Sequence, residues 1–174
     1  MTDVASRAKG WVDEETWNSQ EKCVHLLAEE SVEIQCSLGA AYDFACDLEN
    51  FGQWFPGVIK IIAQDTLDLT TPGKSYLETV AIPLRGKSDV RIRVKEAQRN
   101  ELLITEGSLR PLLPRMHIRF RDSGNGSTFV HWQMHSRSQS VLLRATLIPM
   151  ARRLMKARAK EGMANLKRQL EAMS

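Results

Sequence analysis

The sequence predicts an α+β fold: a strongly curved antiparallel sheet of six to seven strands against one long C-terminal helix, with two short helices after the first strand. Two observations carry this. Between Ser75 and His135 the chain runs as short apolar–polar alternations separated by polar turn signals, the pattern of half-buried strands. The connections there are too short for crossover helices, so the strands are antiparallel. A basic stretch from about Pro149 to Met173 then reads as the main body of a single helix, with Pro149 near its first turn, where a missing N–H does least harm, or at a kink.

Taken in order, residues 1–12 read as a loose arm. Asp13 is an expected N-cap, and Trp17, Val24 and Leu27 follow helical spacing, although CVHLLAEE can equally begin a strand. Residues 1–27 are therefore set apart as an N-terminal arm and 28–174 as the folded domain. SVEIQCS alternates Val32, Ile34 and Cys36 against Glu33, Gln35 and Ser37, which is a strand. Ser37 is positioned to cap a helix in which Ala41, Phe44, Ala45 and Leu48 form the apolar stripe. It is expected to end near Asn50 and Gly52, with a second helical turn from Gln53 to Val58. The strands SYLETVAI, DVRIRVKE, LLITEG, RMHIRFR and TFVHWQMH follow, with turns at TTPGK, LRGK, QRNE and DSGNGS.

The last hairpin gives the clearest geometry. A turn at DSGNG sets Phe120 opposite Thr128, Ile118 opposite Val130 and Met116 opposite Trp132, all on a buried face. His117, Arg119, Arg121, Phe129, His131 and Gln133 take the other face, which is expected to meet water. Val90, Ile92 and Val94 repeat the inward pattern. One helix about 10 Å wide cannot cover the concave side of such a sheet. The remainder is either filled by bulky side chains or left as a pocket of roughly 300–1,000 Å³, and Met116, Trp132, Met134 and Met150 suit either outcome.

Composition narrows the classes. The net charge of +3 divides into −7 over residues 1–107 and +10 over 108–174. The basic end can meet an anionic lipid surface or simply be a solvated face. It lacks the interleaved aromatics of nucleic-acid binders, so no nucleic-acid partner is expected. No apolar run is long enough for a membrane span or a signal peptide. Cys23, Cys36 and Cys46 show no paired spacing and read as reduced, buried thiols in a cytoplasmic chain. His131 and His135 lie about 13 Å apart along a strand, too far to share one metal ion. No metal and no cofactor is predicted.

DLENFGQWFPGV, from Asp47 to Val58, resembles the segment after the first helix in START-like domains, the SRPBCC superfamily of pollen-allergen-like proteins and polyketide cyclases. The Gly126-Ser127-Thr128 turn before the last strand and the ending ANLKRQLE are similar too, and the resemblance extends over about residues 28–172. It implies a helix-grip fold with a ligand cavity between sheet and C-terminal helix. Trp54 and Phe55 would then plug that cavity, which explains bulky aromatics beside a turn.

The resemblance implies binding or carriage of a hydrophobic small molecule, such as a lipid, quinone or polyketide; the alternative is a cyclase-like enzyme in the same cavity. The expected lining is Trp54, Phe55, Tyr76, Glu78, Val80, Val90, Ile92, Ile104, Met116, Ile118, Trp132, Met134, Met150 and Leu154. Glu78 and Tyr76 are the weak catalytic candidates: a carboxyl turned inward would have a raised pKa suited to acid–base work. Glu106 is a similar case if its strand turns that face inward; read one residue out of phase, either carboxylate lies in water. The family's cyclases usually show an inward arginine on the strand SYLETVAI, and none is present. The loop SLRPLLPR offers Leu109, Leu112 and Leu113 either as a lid folded over the mouth or as a gate touching anionic membrane.

Overall fold

The computed structural model describes residues 25–82 and 86–173, the side chains at 143 and 144 excepted. The helix expected from Asp13, Cys23 and part of the LRGK turn lie outside the described residues. Seven strands form one antiparallel sheet: β1 (His25–Ile34), β2 (Val58–Ala63), β3 (Ser75–Ile82), β4 (Gly86–Gln98), β5 (Leu102–Gly107), β6 (Pro114–Gly124) and β7 (Ser127–Ser136). Their order across the sheet is β1-β7-β6-β5-β4-β3-β2. Helices α1 (Leu38–Cys46) and α2 (Phe51–Trp54), joined by a 3₁₀ turn at Leu48–Asn50, sit between β1 and β2, and α3 (Val141–Met173) ends the chain.

Local chemistry explains the short helices. The Ser37 hydroxyl accepts from the Ala40 N–H at 3.3 Å and starts α1. Asp47 stops it in extended conformation, and its carboxylate accepts from Glu49 N–H at 3.1 Å to begin the 3₁₀ turn. The second helical turn is earlier than expected, because Val58 already opens β2. VIKIIA is a strand the alternation rule misses: Ile59 and Ile62 are exposed on this edge strand and only Ile61 is buried.

The β6–β7 hairpin keeps the expected faces but shifts by two residues. Phe120 pairs with Val130, Ile118 with Trp132 and Met116 with Met134. The turn is tighter than the DSGNG reading because Asn125 and Gly126 both have positive φ, 53° and 73°, the requirement of a two-residue primed turn. A bulge between Asp122 and Gly124 absorbs the odd residue.

The convex face is not the wet surface expected. His117 is 2% and Phe129 1% exposed, with the Arg121 guanidinium 5.5 Å over the Phe129 ring. His117 lies across from Gln133, and its ring packs 4.9 Å from that of His135. Burial holds both histidines neutral, pushing their pKa values down to about 3 and about 4.

α3 lies along β1 and touches β7, α1 and α2. Ala159, Met163, Leu166 and Leu170 supply its inward stripe. The helix begins eight residues before Pro149, which stands inside it rather than in its first turn. Ile148 and Ala151 take the buried side of α3, whereas Met150, about 100° round the helix from Ala151, is 63% exposed. No described helix is long and apolar enough to cross a membrane.

Candidate functional site

The concave side of the sheet is closed opposite α3 by four aromatic rings. Phe51 and Phe55 stack at 4.8 Å, Trp54 meets Phe51 edge-on at 4.7 Å, and Phe55 lies 5.0 Å from Trp132 of β7. Such contacts add about 0.5–1.5 kcal/mol per pair beyond area burial. A Cβ on Gly162 of α3 would stand 2.9 Å from Phe55 Cδ2, so the missing side chain is the seat of that ring. The α2 backbone is tied to the same helix, with Asn165 Nδ2 donating to Trp54 O at 3.0 Å and Gln169 Nε2 to Gln53 O at 2.7 Å. Trp54 and Phe55, 1% and 4% exposed, are thus inside the mouth.

These rings explain why the interior space is smaller than the curvature alone suggests. The cleft between sheet and helices has a volume of about 50 Å³, well below the expected range. Its walls are Leu48 and Phe51 on one side and, from the sheet, Glu78, Ile92, Thr105, Gly107, Pro114, Met116 and Met134.

Glu78 is the acidic group of that wall. On β3, Tyr76, Glu78 and Val80 share the inward face, with Glu78 across from Val90 and Ile61. Desolvation pushes its carboxyl pKa up to about 7, while the Arg158 charge pulls it down. Arg158 projects from α3, donates to Ala81 O at 2.9 Å, and lies over Gly57. A cation therefore approaches this end of the cleft from the helix, not from strand β3.

The structure sorts the other expected lining residues. Ile92, Met116 and Met134 line the cleft; Val90, Ile118 and Trp132 are buried in the core around it. Tyr76 is fully buried and Val80 half-buried; Leu154 is half-buried on α3. Met150 faces outward for the helical-phase reason above. Ile104 also faces away. β5 pairs Leu103 with Ile118 and Thr105 with Met116, which puts Leu103, Thr105 and Gly107 inward and Leu102, Ile104 and Glu106 on the convex side. Three consecutive apolar residues hid the phase. Glu106 there accepts from Arg115 Nε at 3.0 Å and lies 3.3 Å from Arg137 Nη1, so it is an ion-pair residue rather than a cavity carboxyl.

In the loop before β6, Leu109 packs against the main core and Leu112 against Leu27, Ile148 and Ala151, while Leu113 is half-buried. Its leucines are folded inward. Among described residues no group of three or more His, Cys, Asp or Glu side chains is placed to hold a metal.

Residues 25–171 match the family described as polyketide cyclase/dehydrase and lipid transport. The chain belongs to that family. Solved structures agree on the fold. A START-superfamily protein from Mycobacterium smegmatis superimposes with a TM-score of 0.69 at 15% identity, covering 86% of this chain and 99% of its own. The Zhui aromatase/cyclase from a Streptomyces gives 0.64 at 9% identity, covering 86% and 94%. The di-domain aromatase/cyclase of the steffimycin pathway gives 0.67 at 12% identity; 86% of this chain matches, and it spans 51% of that longer chain. No curated protein matches the sequence.

In this START-like family member the cleft lies between the sheet and the helices. Sequence reasoning missed Leu48, Phe51, Thr105, Gly107 and Pro114 of its wall, and Arg158 opposite Glu78. Phe51 was hidden by the misplaced second helix, Thr105 by the unread phase of β5, and Arg158 by its place among seemingly solvated helix charges. For Arg158 a signal did exist: a Pro-Gly step at Gly57, φ 91°, leaves space for a large group to lie against the backbone.

Proposed function

We propose that this chain binds and carries a hydrophobic small molecule, of lipid, quinone or polyketide type, in the cleft between the sheet and α3. The observation that carries the reading is a cleft walled by Phe51, Ile92, Met116 and Met134 around a buried carboxyl, closed by an aromatic segment. A ligand of ordinary size enters by outward movement of Phe51, Trp54 and Phe55, which expands the present 50 Å³. Native mass spectrometry of the purified protein, before and after organic extraction, tests this. A non-covalent adduct released by solvent is the expected result. A bare protein that also takes up no isoprenoid quinone, sterol or aromatic polyketide would overturn it.

A second reading, a cyclase-like enzyme, is favoured by Glu78 and Arg158 at one end of the cleft. It requires turnover that Glu78→Gln abolishes while binding persists. Delivery at an anionic membrane is supported by the start of α3. Val141 and Leu142 are 76% and 74% exposed there, and Arg152, Arg153 and Lys156 follow on the exposed side.

A further inference from the structure

Glu78 occupies a position where an apolar side chain would pack without cost. It is 8% exposed, in the middle of β3, between Ile61 of β2 and Val90 of β4. Leu48, Phe51 and Met116 share the cleft wall with it. Among the described residues nothing donates a hydrogen bond to its carboxyl and no cation forms an ion pair with it. The charged group that faces it is Arg158 of α3, whose guanidinium is engaged with Ala81 O.

A carboxyl in such surroundings holds its proton well above the ordinary carboxylate range, up to a pKa of about 7, and a protonated carboxyl is a donor. Two more donors lie in the adjoining aromatic wall. The indole N–H groups of Trp54 and Trp132 are buried and meet no acceptor among the described residues. Thr105 adds a hydroxyl to the cleft. An interior with unmatched donors is complementary to a guest that brings an acceptor.

We propose that Glu78 is the specificity-determining residue of the cleft and selects an apolar ligand bearing a carbonyl oxygen, to which its carboxyl O–H donates. This rests on the binding reading above. Other headgroups fit less well. A carboxylate ligand sets a second negative charge beside Glu78 once both groups are ionised, and an ammonium group faces Arg158. A ketone or quinone oxygen meets neither penalty. Ionising Glu78 removes the donor, so carbonyl recognition weakens as pH rises through about 7.

Calorimetric titration with indanone and indane, one bicyclic body with and without a carbonyl, provides the test. Wild type, Glu78→Gln and Glu78→Leu are compared well below and well above neutral pH. At low pH the wild type is expected to prefer indanone by about tenfold, the size of one net hydrogen bond, and to lose most of that preference at high pH. Glu78→Gln, whose amide donates at any pH, is expected to keep the preference throughout. Glu78→Leu is expected to bind both probes alike. Preference surviving in the leucine variant, or a pH dependence surviving in the glutamine variant, overturns the assignment. Should the leucine variant not fold, the glutamine pH profile alone decides. Equal binding of both probes by wild type overturns this inference and leaves the binding reading standing. Binding of neither probe by any variant overturns this inference, and the extraction experiment above then decides the binding reading.

Discussion

Gly57 and Arg158 share one space: a Cβ on Gly57 would overlap the Arg158 guanidinium carbon. The glycine, at φ 91°, brings the chain from α2 into β2, and the guanidinium laid across it reaches Ala81 O at the end of β3. One arginine thereby joins the C-terminal helix to both strands at the far edge of the sheet. Gly57→Ala is expected to cost about 1–2 kcal/mol for the left-handed backbone, with an added cost from displacing Arg158. In an Arg158→Ala background that added part should vanish. A double-mutant cycle by urea denaturation measures it, and simple additivity would show that the two do not interact.

Glu78 makes stability depend on pH in a stated direction. Its carboxyl is raised from 4.5 to about 7 in the folded chain. Between those values the native state holds a proton that the unfolded state has released, so stability falls as pH rises through the window. The contribution is complete below pH 4.5 and gone above 7. Glu78→Gln does not titrate. Relative to wild type it should gain up to about 3 kcal/mol on going from low to high pH, from about 1.36 kcal/mol per unit. Parallel pH profiles for the two proteins would mean that Glu78 is solvated.

Binding to liposomes should follow the exposed start of α3 rather than the Ser108–Arg115 loop. Weak sedimentation with anionic vesicles is expected, falling with salt over a Debye length of about 8 Å at physiological strength. Little is expected with neutral vesicles. Val141→Ser with Leu142→Ser should weaken it. Leu112→Ser should instead lower folding stability, since Leu112 packs against Leu27, Ile148 and Ala151. Binding indifferent to both salt and lipid charge would count against delivery at a membrane.

Much of the architecture was legible because each strand with one buried face carries its phase in its letters. Met116, Ile118 and Phe120 alternate with charged neighbours, and Val90, Ile92 and Val94 do the same. Both sets are buried as read. Legibility failed where both faces are covered or neither is. Leu102, Leu103 and Ile104 are all buried, so alternation vanished and β5 was read out of phase. At the edge, VIKIIA exposes two isoleucines and hid β2. His117 and Phe129 looked solvent-facing because cross-strand packing on a convex face leaves no trace in one strand's pattern. The two-residue offset of β6–β7 preserved every face, which is why the core survived the error. Glu78 was readable from its apolar companions on β3; Arg158 left only the Pro-Gly step at Gly57 as a signal, because its contact spans 77 residues of sequence to Ala81.

Pro149 interrupts the bonding of α3. Lacking an N–H, it leaves the Ala145 carbonyl without the bond a helix normally supplies. One turn earlier the Thr146 hydroxyl turns back to Leu142 O at 2.9 Å, a bond that tends to bend helices. Residues 141–148 thus precede a gap in the helix's own hydrogen-bond ladder, while Ala151, Ala159, Met163, Leu166 and Leu170 beyond it are buried. Val141, Ala145 and Ile148 of this segment border, together with Arg152 and His25, a groove of about 450 Å³. Ile148 also presses on Leu112, whose carbonyl accepts from Ser136 Oγ at the end of β7. The first two turns of α3 and the loop that leads into β6 therefore share one apolar cluster, two residues before Met116 on the cleft wall.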